Sequence, residues 1–227
     1  MTERRIWHVL RHRAAVGAAI LGVAIGGVGC TSSSDNLHSN LDKAVLQLSD
    51  FPPTWRAYPQ SGDTRDVLGE AANCTGDTTG GKVVTSVRSP EFRHADLHIT
   101  STGVGYDSTI AVSNRGDALG GAKANGCMTQ AMRQQVLAVL PGATIQSTSL
   151  TIQNGGINVP VNYAGAVSGT MKVDIKGQSE TVYVDTVFLL GTNYYVDLSF
   201  IGVGSRISAF IRNTLSEKIA IREQHLT

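Results

Sequence analysis

The sequence predicts an α+β domain in which helices pack on an antiparallel β-sheet. Three observations predict it: apolar residues recur at helical spacing in some segments, alternate with polar residues in others, and the two kinds of segment are interleaved. Their order is helix, strands, helix, strands, helix, and tight turns separate neighbouring strands, as antiparallel pairing allows. This order is typical of a single α+β domain, which we place at residues 37–227.

Residues 1–29 have the pattern of a lipoprotein signal peptide. Four arginines precede an uncharged run of 16 residues, 14–29, that contains five glycines, and Cys30 directly follows a glycine. A membrane-spanning helix needs about 20 apolar residues, so this run is too short and too rich in glycine to span. We predict cleavage before Cys30, lipidation of Cys30 and a flexible tether over residues 30–36. The alternative is an ordinary secretory signal that leaves Cys30 as a free thiol, and both the general secretory and the twin-arginine routes stay open.

The predicted lipid anchor would hold the mature domain on the outer face of the cell membrane. Two acyl chains suffice for stable anchoring, since each buried methylene contributes about 0.8 kcal/mol. Cleavage removes four arginines and one glutamate and leaves 15 basic and 17 acidic residues, so the mature domain is slightly acidic. A domain with this charge and no cluster of Lys and Arg is not expected to bind nucleic acid.

The two remaining cysteines, Cys74 and Cys127, predict a disulfide, because paired cysteines in an exported protein are usually oxidised. The bridge would close 53 residues and stabilise the fold by about 4 kcal/mol. Two buried free thiols are the alternative. A metal site is not predicted, because neither cysteine has a cysteine or histidine at ligand spacing.

The first half of the domain predicts three helices and several short strands. Leu37–Leu48 carries apolar residues at i, i+4, i+7, i+8 and i+11, and the prolines at 52 and 53 cannot continue a helix. The further elements are an extended Trp55–Tyr58, a helix over Asp63–Ala72, strands over Lys82–Arg88, Asp96–Thr102 and Ser108–Ser113, and a long helix over Asp117–Leu140.

The second half predicts four strands and a closing helix. The strands are Thr144–Ile152, Asn162–Val173, Thr181–Leu190 and Tyr194–Ile201, and the helix is Ser205–Ile221. In the last hairpin, one face of the first strand would hold Val182, Val184, Phe188 and Leu190, and one face of the second would hold Tyr194, Val196, Leu198 and Phe200. The helix would bury a stripe of Ile207, Phe210, Ile211, Leu215, Ile219 and Ala220.

This pattern resembles actinobacterial envelope lipoproteins of the PknH-like extracellular sensor-domain type, and the LpqN type nearly as well. The residues that carry the resemblance are Cys30, the opening helix, the turn Asp50–Trp55, Cys74 after a helix, the corner Ser89–Phe92, Cys127 in the central helix, and the late hairpin before the last helix. The resemblance implies a twisted antiparallel sheet flanked by helices in a layered sandwich, and a role in sensing or binding in the envelope. PknH-like domains typically hold two disulfides, whereas this chain offers one.

No catalytic residue, metal site or cofactor is predicted. The chain has no Gly-x-Ser-x-Gly, His-Glu-x-x-His, Cys-x-x-Cys or phosphate-binding glycine loop. His94 and His98 on one strand would lie about 13 Å apart, too far to share an ion, and are expected to be solvated. Asp174, Asp185 and Asp197 are expected to face solvent on a half-exposed sheet.

The function predicted from the sequence is therefore a lipid-anchored extracytoplasmic binding or sensor-like domain. Its partner would be a small ligand, a lipid, a glycan or another envelope protein. An envelope hydrolase with an unrecognised active site is the alternative, and a structural accessory of a membrane complex is a third. The ligand-binding candidates are the aromatic residues near turns and on the last hairpin, Trp55, Tyr58, Tyr183, Tyr194 and Tyr195.

Overall fold

The computed structural model describes residues 33–60, 65–76, 81–109, 120, 123–154 and 163–224. Within these ranges it contains four α-helices and eight strands. The helices are α1 (Ser33–Ala44), α2 (Val67–Thr75), α3 (Ala124–Val139) and α4 (Ala209–Gln224). The strands are β1 (Arg56–Tyr58), β2 (Val83–Arg88), β3 (Glu91–His94), β4 (Leu97–Tyr106), β5 (Thr144–Asn154), β6 (Tyr163–Ile175), β7 (Gln178–Leu190) and β8 (Tyr194–Val203).

The strands form one antiparallel sheet in the order β1-β3-β4-β8-β7-β6-β5, which confirms the predicted α+β class. Strand β2 pairs with one half of the edge of β4, and β3 pairs with the other half. The longest hairpin, β6–β7, turns through Lys176 and Gly177, whose φ angles are 54° and 84°. Positive φ at both positions matches the right-handed twist of the paired strands, which is why Gly stands there.

The sheet is covered by helices on both faces. We call the face under α2 and α3 face A; its core includes Val104, Met132, Val184 and Phe188. We call the face under α1 and α4 face B; its core includes Leu41, Ile99, Leu198 and Ile219. The two predicted sets of hairpin side chains are confirmed, and they lie on opposite faces: the β7 set belongs to face A and the β8 set to face B.

Two apolar residues predicted to be inward are exposed. Helix α1 ends at Ala44, and a short 3-10 turn over Leu48–Asp50 begins after Gln47, which leaves Leu48 51% exposed. Phe210, in the first turn of α4, is 79% exposed. Leu48 is exposed because it lies beyond the end of α1. Phe210 is exposed because it stands five residues before the buried Leu215, which places it about 140° around the helix from that residue.

Several element boundaries also differ from the predictions. Helix α1 begins at Ser33, within the range assigned to the tether, and β3 is a strand that the sequence did not predict. Helix α2 begins at Val67 and not at residue 63, because the Asp66 carboxylate caps it by accepting a hydrogen bond from the Gly69 amide at 2.7 Å. Most of the predicted strand Ser108–Ser113 and the first part of the predicted helix Asp117–Leu140 lie outside the described residues.

None of the helices described here has the length and hydropathy needed to cross a membrane.

Candidate functional site

A cleft of about 160 Å³ lies on face A, between the end of α3 and the strands β2, β3 and β4. Strand β4 supplies its floor with Thr100 and Thr102. Alternation along β4 places these two residues on the same face as the core residue Val104, so the floor changes from apolar to polar within one strand. The rest of the lining comes from Pro59, Gln60, Arg65, Val67, Arg88, Glu91, Arg93, Gln135, Ala138, Val139 and Pro141.

Three arginines from three different segments line the cleft. Arg88 ends β2 and donates to the Gln60 carbonyl oxygen at 3.1 Å. Arg93, on β3, pairs with Glu91 at 2.5 Å, and Arg65, just before α2, pairs with Glu70. With Glu70 beside the lining counted, the cleft thus holds three guanidinium groups against two carboxylates, an excess of one positive charge.

Glu91 is the buried carboxylate of this cluster. His98 Nδ1 lies 2.5 Å from one of its oxygens, and Arg93 donates to the other. Burial opposes ionisation, but the hydrogen bonds from His98 and Arg93 outweigh it and hold the pKa of Glu91 below its ordinary value. Glu91 is therefore a fixed negative charge that orients Arg93 and His98 beside the cleft.

Gln135 presents an unused acceptor in the wall of the cleft. Its Nε2 donates to Ser199 Oγ at 2.6 Å, and Ser199 Oγ is 3.0 Å from the Thr186 hydroxyl oxygen. Its Oε1 has no hydrogen-bond partner among the described residues, although Gln135 is only 8% exposed. A buried amide oxygen without a partner costs about 1–3 kcal/mol, so it marks a position where a donor would be stabilised.

The predicted disulfide is confirmed and joins the two helices beside the cleft. Cys74 lies in the last turn of α2 and Cys127 in the first turn of α3, with a Cα–Cα distance of 5.5 Å. Arg65 lies two residues before α2, and Gln135 lies two turns after Cys127 on α3. The bridge therefore holds together the two elements that carry opposite walls of the cleft.

A second polar cluster lies between α2 and the sheet. The carboxylate of Asp66 accepts hydrogen bonds from the hydroxyls of Tyr106 and Tyr195, each at 2.8 Å. Asp197 is fully buried, and neither of its carboxyl oxygens has a hydrogen-bond partner in the described part of the chain. Burial raises the pKa of Asp197 well above its ordinary value, and the charge of Asp66 raises it further. Burial and the nearby charge thus both disfavour the ionised form of Asp197.

The five aromatic candidates do not gather at one place. Trp55 and Tyr194 are buried in the core of face B, and Tyr195 is buried in the core of face A. Tyr58 is 42% exposed beneath the Arg93 guanidinium, whose carbon is 4.6 Å from the ring centroid. Tyr183 is partly exposed on face B. Ligand contact by any of the five stays a prediction, and none of them is among the residues that line the cleft.

Three polar residues that were expected to be solvated, Asp185, Asp197 and His98, are instead buried or paired. Asp185 and Asp197 are buried, because helices cover both faces of the sheet; Asp185 lies 3.7 Å from Arg206 and 3.8 Å from Arg212. The expectation of two histidines on one face of one strand was wrong as well. The β3–β4 turn separates them, which leaves His94 exposed on β3 and His98 hydrogen-bonded to Glu91 on β4.

The residues that form the cleft were not predicted from the sequence. Arg65, Arg88, Arg93 and Gln135 stand far apart in the sequence, and no motif joins them. One signal was available: Arg88 and Arg93 flank the Ser89-Pro90 corner, where the chain reverses and brings β2 and β3 to the same edge of β4. Among the residues described, no group of three or more His, Cys, Asp or Glu side chains is arranged to hold a metal ion.

The predicted signal peptide, residues 1–29, and the lipidation site Cys30 lie outside the described residues.

Comparisons with known proteins give structural neighbours only. No protein-family model matches the chain, and no curated protein matches it by sequence. The extracellular domain of PknH from Mycobacterium tuberculosis is similar at 9% identity and a TM-score of 0.45, over 82% of this chain and 96% of that one. LpqN, involved in cell envelope biogenesis of Mycobacterium tuberculosis, is similar at 14% identity and a TM-score of 0.24, over 76% of this chain and 77% of that one. The structural neighbours thus include both groups that the sequence resembles.

Proposed function

We propose that this chain is a lipid-anchored, extracytoplasmic binding domain of the cell envelope and that the cleft on face A is its ligand site. The observation that carries the proposal is the lining of the cleft, where three arginines and the unused acceptor of Gln135 converge on one concave surface. Convergent polar groups in a cleft are the usual mark of a ligand site.

Export is supported by two independent features, and the first of them also supports anchoring. The first is the signal pattern of residues 1–29, with Cys30 directly after it. The second is the Cys74–Cys127 bridge, since disulfides persist in oxidising compartments outside the cytoplasm. A tethered domain of this kind would hold its cleft in the aqueous space next to the membrane.

The geometry favours binding over hydrolysis. A hydrolase site needs a general acid or base whose pKa lies near the working pH. Glu91, the carboxylate that lines the cleft, has its pKa lowered by two hydrogen-bond donors, which suits a fixed charge and not a proton donor. The cleft is thus better equipped to hold a molecule than to transform one.

The test of this proposal blocks the cleft from an exposed position. Ala138 is exposed and lines the cleft, so Ala138→Trp should fill its mouth without disturbing the core. Gln130→Trp is the matched control, because Gln130 is exposed on the same helix about two turns away and is not part of the lining. The full-length protein and both variants are purified from native envelope, and copurifying small molecules are identified by mass spectrometry.

We expect a small molecule that copurifies with the wild type and with Gln130→Trp but is lost from Ala138→Trp. If the same molecules accompany all three proteins, or none accompanies any, the cleft is not a ligand site and the proposal is wrong.

A further inference from the structure

The charge of the cleft indicates the sign of its ligand. The lining holds Arg65, Arg88 and Arg93 and one acidic residue, Glu91, and Glu70 beside the cleft pairs with Arg65. The Nε atoms of Arg65 and Arg93 are buried and have no hydrogen-bond partner within the described residues. Guanidinium groups present planar N–H donors that match the geometry of carboxylate and phosphate oxygens. A negatively charged group is therefore the ligand chemistry that this lining fits.

The wall of the cleft indicates a second, neutral contact. Gln135 is more than nine-tenths buried, its amide nitrogen is held by Ser199, and its Oε1 is left to accept. Ser199 Oγ lies 3.0 Å from the Thr186 hydroxyl oxygen, so the bond from the amide nitrogen of Gln135 joins a pair of hydroxyl groups on the sheet. A ligand that places a hydroxyl or amine hydrogen at Oε1 would satisfy this atom.

The volume of the cleft limits the size of the bound group. A cavity of about 150 Å³ holds benzene, which has six heavy atoms. The cleft, at about 160 Å³, therefore accommodates one oxyanion and a short fragment attached to it, with anything larger extending out of the mouth beside Ala138.

We propose that the cleft binds a small hydroxylated oxyanion, in which a carboxylate or phosphate group is held by the guanidinium groups and a neighbouring hydroxyl donates to Gln135 Oε1. This inference rests on the proposed function, since it names the ligand class of the same cleft. Carboxylate and phosphate share the chemistry that the arginines recognise, and the choice between them is an outcome of the test.

The test is calorimetric titration of the full-length protein in detergent with four probes. Glycolate carries a carboxylate and a hydroxyl, acetate carries the carboxylate alone, inorganic phosphate supplies the other oxyanion, and ethylene glycol is neutral. We expect binding of glycolate or phosphate, no detectable binding of ethylene glycol, and weaker binding of acetate than of glycolate. Glycolate alone would identify a carboxylate ligand, and phosphate alone a phosphorylated one.

Variants locate the binding to the cleft. Arg88→Gln should weaken oxyanion binding by about tenfold or more, as expected for loss of a charge-assisted hydrogen bond. Arg133→Gln is the matched control, because it removes the same charge from the same side of the sheet outside the lining. Gln135→Met should remove the preference for glycolate over acetate and leave acetate binding unchanged.

A second pair of variants, at exposed positions, tests the same binding in case Arg88→Gln does not fold. Ala138→Glu adds a negative charge at the exposed mouth and should weaken oxyanion binding, whereas Gln130→Glu, away from the cleft, should not. The inference is wrong if no oxyanion binds more tightly than ethylene glycol, or if Arg88→Gln and Ala138→Glu bind like their controls. A neutral or cationic molecule lost from Ala138→Trp would overturn the inference while leaving the proposed binding function in place.

Discussion

The two faces of strand β4 differ in what they pack against. On face B, Gly103 and Gly105 allow α1 to lie close to the strand; a Cβ at Gly103 would be 3.1 Å from a Leu41 methyl carbon, and one at Gly105 would be 2.5 Å from a Leu37 methyl carbon. On face A, Val104 gives way to the polar Thr102 and Thr100, and a cleft opens above them. The same strand thus supports a packed core on one side and a candidate site on the other.

The comparison separates a packed side of the sheet from a side with a candidate binding site. Face B is filled by apolar side chains from α1 and α4, which contribute burial free energy. Face A has an apolar core that reaches Val104 and Tyr106 on β4, but beside Thr100 and Thr102 of the same strand the space is lined by charged and hydroxyl groups. We expect changes on face B to affect stability and changes at the cleft to affect binding.

The largest expected effect comes from removing the disulfide, which lies on the face A side. Replacing both Cys74 and Cys127 by serine should lower the free energy of unfolding by about 4 kcal/mol, on the loop-entropy model. Urea unfolding under non-reducing conditions measures this loss, and reduced wild-type protein is the control. Hydrogen exchange should rise first in α2 and α3 and less in α1 and α4. Equal protection of all four helices would contradict this division between the faces.

Neighbouring residues on β4 give the sharpest comparison of the two faces. Ile99→Ala empties a fully buried position on face B and should cost about 3 kcal/mol of stability. Thr100→Ala, one residue along on face A, removes a hydroxyl at the cleft and should cost about 1 kcal/mol or less. Both values come from urea unfolding. If Thr100→Ala costs as much as Ile99→Ala, the cleft is part of the core and the comparison fails.

Each face also buries one carboxyl group with a raised pKa. Burial raises the pKa of Asp197 on face A and of Glu223 on α4, and the charge of Asp66 adds to the shift at Asp197. The unfolded chain releases these protons near pH 4, while the folded chain keeps them to higher pH, so stability should fall as pH rises from about 4 through the raised pKa values.

Asp197→Asn should remove part of this dependence on pH. Because the variant has no proton to lose there, it should be more stable than the wild type by about 1–3 kcal/mol near neutral pH and by less near pH 4. Glu223→Gln should act in the same direction on face B. Thermal unfolding measured across this pH range checks both variants, and a difference from the wild type that does not change with pH would contradict the assignment.

The smallest expected effect on stability comes from the predicted anchor. Cys30→Ala should move the protein from the membrane fraction to the soluble fraction, because the lipid would be lost. The free energy of unfolding should stay unchanged, because residue 30 precedes α1 and the cores of both faces lie beyond it. Fractionation and unfolding of the released protein check both statements. A variant that stays in the membrane fraction would contradict lipidation of Cys30.

The sequence by itself determined the class of the fold and most of its elements. Alternation with period two predicted β5, β6, β7 and β8 and the faces of the last hairpin, because the pleat of a strand is a local property. The parity of the cysteines predicted the disulfide between Cys74 and Cys127, because two cysteines that follow a predicted export signal are expected to be oxidised to each other. The ends of helices were less predictable, as Leu48 beyond the end of α1 shows, since a cap or a turn decides them.

Only the tertiary structure decided where the cleft lies and what lines it. Arg65, Arg88, Arg93 and Gln135 meet because β2 and β3 share one edge of β4 and because the disulfide holds α2 against α3. The burial of Asp197 likewise depends on the helices that cover face A. The sequence of a strand with a polar residue is the same whether helices cover that face or leave it open to solvent. The register of the strands and the helices that cover the sheet bring together residues that are distant along the chain. Local sequence patterns therefore do not predict these contacts.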